Sequence, residues 1–441
     1  MFSILRSFLF TKTIFLQPDK RNIKARKNCT FSFYKKHVLT PVFIKLAFCC
    51  EDVLFTAFIR QKIQEGHFMP NLFTTVAPFR ADHVGSLLRP PELLAARAQF
   101  EAGTLSCEEL TRLEDAAIVE VVKMQEDIGL QAVTDGEFRR KVWHTDFLQQ
   151  FANVESMQSE VKVHFHTAEG DIERLPTAEK VTGKLSRPHP IFVEHFKYVQ
   201  SVASATAKIT LPSPSMLHFR GGRNAVDEKA YPDMAEFYTD LARVYSEEIA
   251  DMGAAGCRYL QLDEVNFAYL CDPLLRQQVQ NIGEDPDSLP QTYARLINNA
   301  ISTRPADMRI TMHLCRGNFE GAWVAEGGYE PVAEVLFNEV NVNDYFLEYD
   351  TPRAGDFSPL RFVPQDKMVV LGLVSSKQAA LENKDDLKRR IDEAAQYLPL
   401  EQLAISPQCG FASGERGNKL SIDDERRKLE LLVEVAREVW G

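Results

Sequence analysis

The chain has 441 residues, 45% hydrophobic and 26% charged, an ordinary globular balance that excludes a disordered or fibrous protein. Its net charge of −11 hides an asymmetry: residues 1–68 hold 12 Lys and Arg against 4 Asp and Glu, so the remainder carries −19. That acidic body excludes a phosphate-binding surface for nucleic acid and a surface drawn to anionic membranes, because both need clustered cations.

The N-terminal stretch differs from the rest. Residues 1–50 contain ten Lys or Arg and one acid, Asp19. Such a composition fits a mitochondrial-type presequence or an extension with no fold of its own. A secretory signal competes, although Lys12, Lys20 and Arg21 leave it only a short apolar run. The apolar segment 38–59 is interrupted by Pro41, Lys45, Glu51 and Asp52, which argues against a membrane span. The expected division is a basic extension over 1–68, disordered or targeting, and a folded domain over 69–441, with Met69 as a candidate internal start. Eight scattered cysteines with no CxxC pair do not make a disulfide scaffold. They point to buried thiols in a reducing compartment, hence a cytoplasmic location, or a mitochondrial one if 1–68 is a presequence.

From Phe73 onward, short apolar runs that break into polar residues alternate with helical periodicity. The expected strands are 79–86 (FRADHVGS), 130–137 (LQAVTDGE), 207–214 (AKITLPSP), 258–266 (RYLQLDEVN), 309–318 (RITMHLCRGN), 344–350 (DYFLEYD), 368–376 (MVVLGLVSS) and 403–410 (LAISPQCG). Helical patterns such as CEELTRLEDAAIVEVVKMQEDIG, MAEFYTDLARVYSEEIADMG and SIDDERRKLELLVEVAREVW fill the gaps, several opening on Ser or an acid as helix N-termini prefer. Eightfold strand–helix alternation predicts an α/β fold, a (β/α)8 TIM barrel, with a doubly wound open sheet as the alternative. Residues 150–206 exceed a normal connection. Their alternating segments VKVHFH and EKVTGKL predict a hairpin insertion after the second strand.

A barrel of this kind carries its active site at the C-terminal strand ends. Those ends hold Ser86, Asp135, Glu137, Asp263, Glu264, His313, Cys315, Glu348 and Cys409. His313 and Cys315, two apart on a strand, point to the same side, and imidazole and thiolate are both zinc ligands. An HxC pair by itself is more readily explained by one packed and one incidental side chain. Glu348 and Cys409, each at a later strand end, would complete a set of four. Glu137 and Asp263 would suit a substrate ammonium, and the Gly85-Ser86 backbone and hydroxyl a carboxylate. The blander alternative has the two acids capping helices or pairing with Arg139 and Arg140.

The motifs HVGS (83–86), TDGE (134–137), QLDE (261–264), HLC (313–315), LEYD (347–350) and PQCG (407–410), in this order, resemble the catalytic C-terminal barrel of cobalamin-independent methionine synthase and its single-barrel relatives. The resemblance runs from about Phe73 to the C-terminus. It implies a fold like that of methionine synthase and uroporphyrinogen decarboxylase, and Zn2+ bound by His313, Cys315, Glu348 and Cys409. It implies that Ser86, Glu137 and Asp263 hold the amino-acid part of homocysteine. The implied reaction moves a methyl group from a polyglutamylated 5-methyltetrahydrofolate to the homocysteine thiol, making methionine.

The chain departs from the family on the donor side. Val374 stands where the large enzymes have an acid-chemistry His, beside Ser375 and Ser376. Phe219 stands where the family has the Trp that stacks on the pterin, and Tyr269 where it has a folate-contacting Glu. The resemblance does not extend to the N-terminal barrel of the large enzymes. Zinc-dependent alkyl transfer to another thiol, or from a non-folate donor, is therefore the alternative. A lyase like the uroporphyrinogen decarboxylases would leave His313 and Cys315 unexplained, and a non-catalytic zinc module would not need Glu137 and Asp263. No Gly-rich phosphate loop is present. The expected partners are small molecules, with no nucleic acid and no membrane; the oligomeric state is not assigned.

Overall fold

The computed structural model describes residues 77–441 except 159–162, 168–169 and 175–176, together with two short antiparallel strands, Cys29–Phe31 and Ile44–Leu46. The boundary expected at 68/69 lies outside the described residues. Chain contacts separate Met1–Leu72 from Phe73–Gly441, and the second unit holds the parallel strands.

These strands are β1 (Ala132–Val133), β2 (Thr206–Ala207), β3 (Ile209–Pro212), β4 (Tyr259–Glu264), β5 (Arg309–Leu314), β6 (Asp344–Glu348), β7 (Met368–Val374) and β8 (Leu403–Pro407). β3 to β8 form one parallel sheet in chain order, and β1 pairs in parallel with β2. Ala81 bridges Ile405 of β8 in parallel. Leu87 N–H donates to Gly136 O at 3.0 Å and Thr134 Oγ1 to Gly85 O at 2.6 Å, linking the first segment to the chain beyond β1. Seven of the eight expected strands are thus present in a TIM-barrel-like α/β arrangement, and the first expected position is reduced to the Ala81 bridge. β4, β6 and β8 are buried throughout, as strands covered on both faces must be.

The first expected strand, 79–86, is a correction: only Ala81 has a ladder partner. Asp82 explains it, because its carboxylate takes the N–H of His83 at 2.7 Å and of Phe79 at 3.4 Å, competing locally with a ladder. Side chains fasten this segment instead. Arg80 donates to Leu403 O, Gln261 to Val84 O at 2.6 Å, and Tyr259 OH to Asp82 at 2.7 Å. Lys208 Nζ, fully buried, lies 3.2 Å from Asp82 and sits over the Phe346 ring. Removing one partner of such a buried pair typically costs about 3–5 kcal/mol. Lys208 also splits the third expected strand into β2 and β3.

The helices follow the sequence pattern closely. Cys107–Ile128 opens on a Ser106/Glu109 capping box and ends at Gly129. Ile422–Trp440 opens on a Ser421/Asp424 box, and Met234–Ala254 on an Asp233 cap. Each such cap contributes about 1 kcal/mol. The insertion holds two antiparallel pairs: Ala152–Gln158 with Thr177–Ser186 at its base, and Val163–Thr167 with Gly170–Arg174 at its tip. The two segments expected to form one hairpin therefore pair with different partners. Among the described residues no helix is long and apolar enough to cross a membrane.

Candidate metal centre and substrate pocket

His313 is the fifth residue of β5, Cys315 follows that strand directly, Glu348 ends β6, and Cys409 lies two residues past β8. One ligand atom from each of these four buried residues lies within 4.8 Å of the others. The two sulfurs are 3.4 Å apart. The set therefore assembles from three strand ends, as their spacing suggested.

The surroundings hold these groups in place. Glu348 Oε1 accepts the Arg316 N–H at 2.9 Å, and Oε2 accepts from Arg353 and Gln408, both at 3.2 Å. Burial pushes the Glu348 pKa up, but Lys377, Arg353 and His313 outweigh it and the net shift is downward. Cys409 is held well below the usual thiol range by the Cys315 hydrogen bond and by His313, while Cys315 is pushed well above it, since a second anion so close is opposed. Burial works against a charged His313, yet Cys409, Asp263 and Glu348 raise its pKa overall.

The residues fit a metal. Both His313 ring nitrogens are buried without a hydrogen bond of normal geometry, although the Cys409 sulfur is near enough to act on the ring. An unmatched buried polar group costs about 1–3 kcal/mol, a cost that a cation among these four would remove. Two sulfurs, one imidazole and one carboxylate are a donor set suited to zinc.

Asp263 is the register partner of His313 on the neighbouring strand. Gln261 donates to it at 2.7 Å, and its pKa is pushed up to about 7 by burial and by Glu137. Glu137 takes the left-handed backbone, φ +61°, a strained conformation for this residue type. It accepts from Thr210 at 2.7 Å, and Arg140 lies 3.3 Å away. Its second oxygen is buried and unmatched. Arg139 instead pairs with Glu114 and Asp115. Ser86 packs so tightly on Gly410 that a Cβ there would lie 1.9 Å from the Ser86 hydroxyl. This contact joins the loop after the first segment to the Cys409 loop.

On the donor side, Phe219 is buried, and its ring meets Tyr269 edge-on at 5.9 Å. Val374 is fully buried. Ser375 donates to Gln408 at 3.1 Å, and Gln408 to Glu348, so that hydroxyl connects to the centre through one amide. Arg353, Gln408 and Lys377 were not singled out from the sequence. Gln408 adjoins Cys409 within PQCG and was legible there; Arg353 lies in the short 3-10 helix Pro352–Ala354 and Lys377 in a loop, with no pattern to mark either.

A family described as "Cobalamin-independent synthase, Catalytic domain" matches residues 79–438. The protein YxjH of Bacillus subtilis (strain 168) is 44% identical over 366 residues, 82% of this chain and 95% of the relative. A 5-methyltetrahydropteroyltriglutamate–homocysteine methyltransferase of Lactococcus lactis subsp. cremoris (strain SK11) is 26% identical over 357 residues, 80% of this chain but only 43% of that longer protein. A solved structure from Listeria monocytogenes, named for vitamin-B12 independent methionine synthase, is 38% identical with a TM-score of 0.64, and the match covers 83% of this chain and 99% of that one.

Proposed function

Because the chain belongs to the cobalamin-independent synthase catalytic-domain family and is a methyltransferase, we propose that it transfers a methyl group from a polyglutamylated 5-methyltetrahydrofolate to homocysteine, giving methionine. The carrying observation is the convergence of His313, Cys315, Glu348 and Cys409 beside Asp263 and Glu137. These four would hold Zn2+. Bound there, the metal would keep a substrate thiol as thiolate at neutral pH, where a free thiol is mostly protonated.

The chain's own residues supply the rest. Asp263 and Glu137 offer two carboxyls to the substrate ammonium; their mutual repulsion and burial are relieved when that cation arrives. Ser86, set against the Cys409 loop, offers its hydroxyl to the substrate carboxylate. Arg316, Arg353 and Gln408 orient the Glu348 carboxylate. Phe219 and Tyr269 provide an aromatic surface for a pterin.

The second reading, another donor or another thiol, is favoured by one observation: Val374 is a buried aliphatic with no proton to give. General acid catalysis typically contributes about 10²–10⁴-fold, so methyl transfer from folate is expected to be slower than in a two-barrel enzyme. The test is methionine formation from homocysteine with mono- and triglutamylated 5-methyltetrahydrofolate, alongside proton release on homocysteine addition. Proton release without turnover on any folate would keep the acceptor half and overturn the donor half.

A further inference from the structure

Arg220 stands at the C-terminal strand ends, directly after the short helix Met216–Phe219 that follows β3. The groups around it come from neighbouring loops of the same face: His144 from the loop after β1, Thr177 and Glu179 from the insertion, and Tyr269 from the loop after β4. Its guanidinium donates to Thr177 O at 2.8 Å and to His144 Nε2 at 3.3 Å. An arginine has only protons to give, so His144 Nε2 is the acceptor and the imidazole proton sits on Nδ1. Nδ1 faces Glu179, 3.2 Å away, and Glu179 also accepts from Thr145. His144 and Glu179 are buried, whereas Arg220 is half-exposed.

Arg220 is thus a cation fixed in direction by neutral acceptors. Two other cations of the face are paired with carboxylates, Arg140 with Glu137 and Arg353 with Glu348 and Asp350, while Lys377 donates to Gly317 O and Arg316 lies over the Tyr329 ring. Among the described residues no carboxylate lies within ion-pair distance of Arg220, and His144 stands between it and Glu179. Arg220 follows Phe219 in the chain, and its charge acts on Tyr269, whose ring meets that of Phe219 edge-on. An oriented, half-exposed guanidinium beside an aromatic pair, with donors to spare, is matched by a planar anion.

We propose that Arg220 is an anion subsite for the methyl donor, receiving a carboxylate of the glutamate tail while the aromatic pair Phe219 and Tyr269 carries the ring system. His144 and Glu179 are positioning residues that aim the guanidinium. This rests on the folate reading given above. It also assigns the insertion a role, because Thr177 O and Glu179 belong to it: the insertion builds the donor side of the site.

The experiment measures equilibrium binding of 5-methyltetrahydropteroate, which has no glutamate, and of the mono- and triglutamylated folates. The proteins compared are the wild type, Arg220→Met, Arg220→Lys and His144→Ala. The wild type should prefer glutamylated donors by about tenfold or more, the scale of one charge-assisted hydrogen-bonded pair. Arg220→Met should erase that preference and leave pteroate binding, zinc content and homocysteine-driven proton release unchanged. Arg220→Lys should restore part of it, and His144→Ala should lose part of it. A preference undiminished in Arg220→Met, or equal weakening of pteroate and glutamylated donors, overturns the subsite while the folate reading stands. Failure of the wild type to bind any folate overturns both.

Discussion

At the scale of single residues, the four side chains of the centre are the sharpest claim. Cys315 and Cys409 come from loops 94 residues apart yet lie 3.4 Å from each other. Cys315→Ser and Cys409→Ser should each lose most of the bound zinc on metal analysis of the purified protein; full zinc in both would remove these residues from the site. Gln408 and Arg353 hold the Glu348 carboxylate, and loss of such an outer partner typically weakens metal affinity about 10–100-fold. Asp263 separates binding of metal from binding of substrate. Asp263→Asn should raise the KM for homocysteine roughly tenfold, the scale of one charge-assisted hydrogen bond, with zinc retained; an unchanged KM would place the substrate ammonium elsewhere.

At the scale of elements, the C-terminal helix is tied to the active-site face by one buried acid. Glu425 is 1% exposed and accepts the Leu88 N–H at 2.8 Å, while its other oxygen is unmatched. Burial pushes its pKa up to about 8. The fold therefore favours the neutral acid. That contribution to stability is fully present below the ordinary carboxylate value of 4.5 and is lost as pH rises through about 8. Glu425→Gln keeps the acceptor and removes the charge. Its Tm relative to wild type should be level below about pH 4.5, rise progressively from there to about pH 8 and stay flat above, reaching a gain of several degrees, at roughly 2–4 °C per kcal/mol. A Tm difference independent of pH would show that Glu425 does not titrate in this range.

At the scale of the whole molecule, the family match begins at residue 79 and the basic extension precedes it. A protein starting at Met69 should fold, keep its metal and melt within a few degrees of the full chain; insolubility or loss of zinc would make the extension part of the folded unit. The segment around Ala81, bridged to β8, behaves in the opposite way. Its ties to Ile405, Lys208 and Gln261 mean that truncation beyond it should unfold the protein.

Much of this was legible in the sequence, because periodicity and chemistry are local properties. Capping boxes at Ser106 and Ser421, the apolar runs that became β4 to β8, and the order HLC, LEYD, PQCG all depend on near neighbours in the chain. Strand ends place their side chains on one face by geometry alone, so His313, Cys315, Glu348 and Cys409 could be named before any coordinates. Tertiary structure decided the rest. Whether 79–86 forms a ladder depended on Asp82 finding its own backbone together with Lys208 and Tyr259, 126 and 177 residues away. The partners of Glu348, and the contacts of Arg220 with Thr177 O and, through His144, with Glu179, likewise join segments that no spacing rule connects. The physical reason is that a buried charge is satisfied by whichever donors the packed loops bring within about 3 Å, and that is set by the fold as a whole.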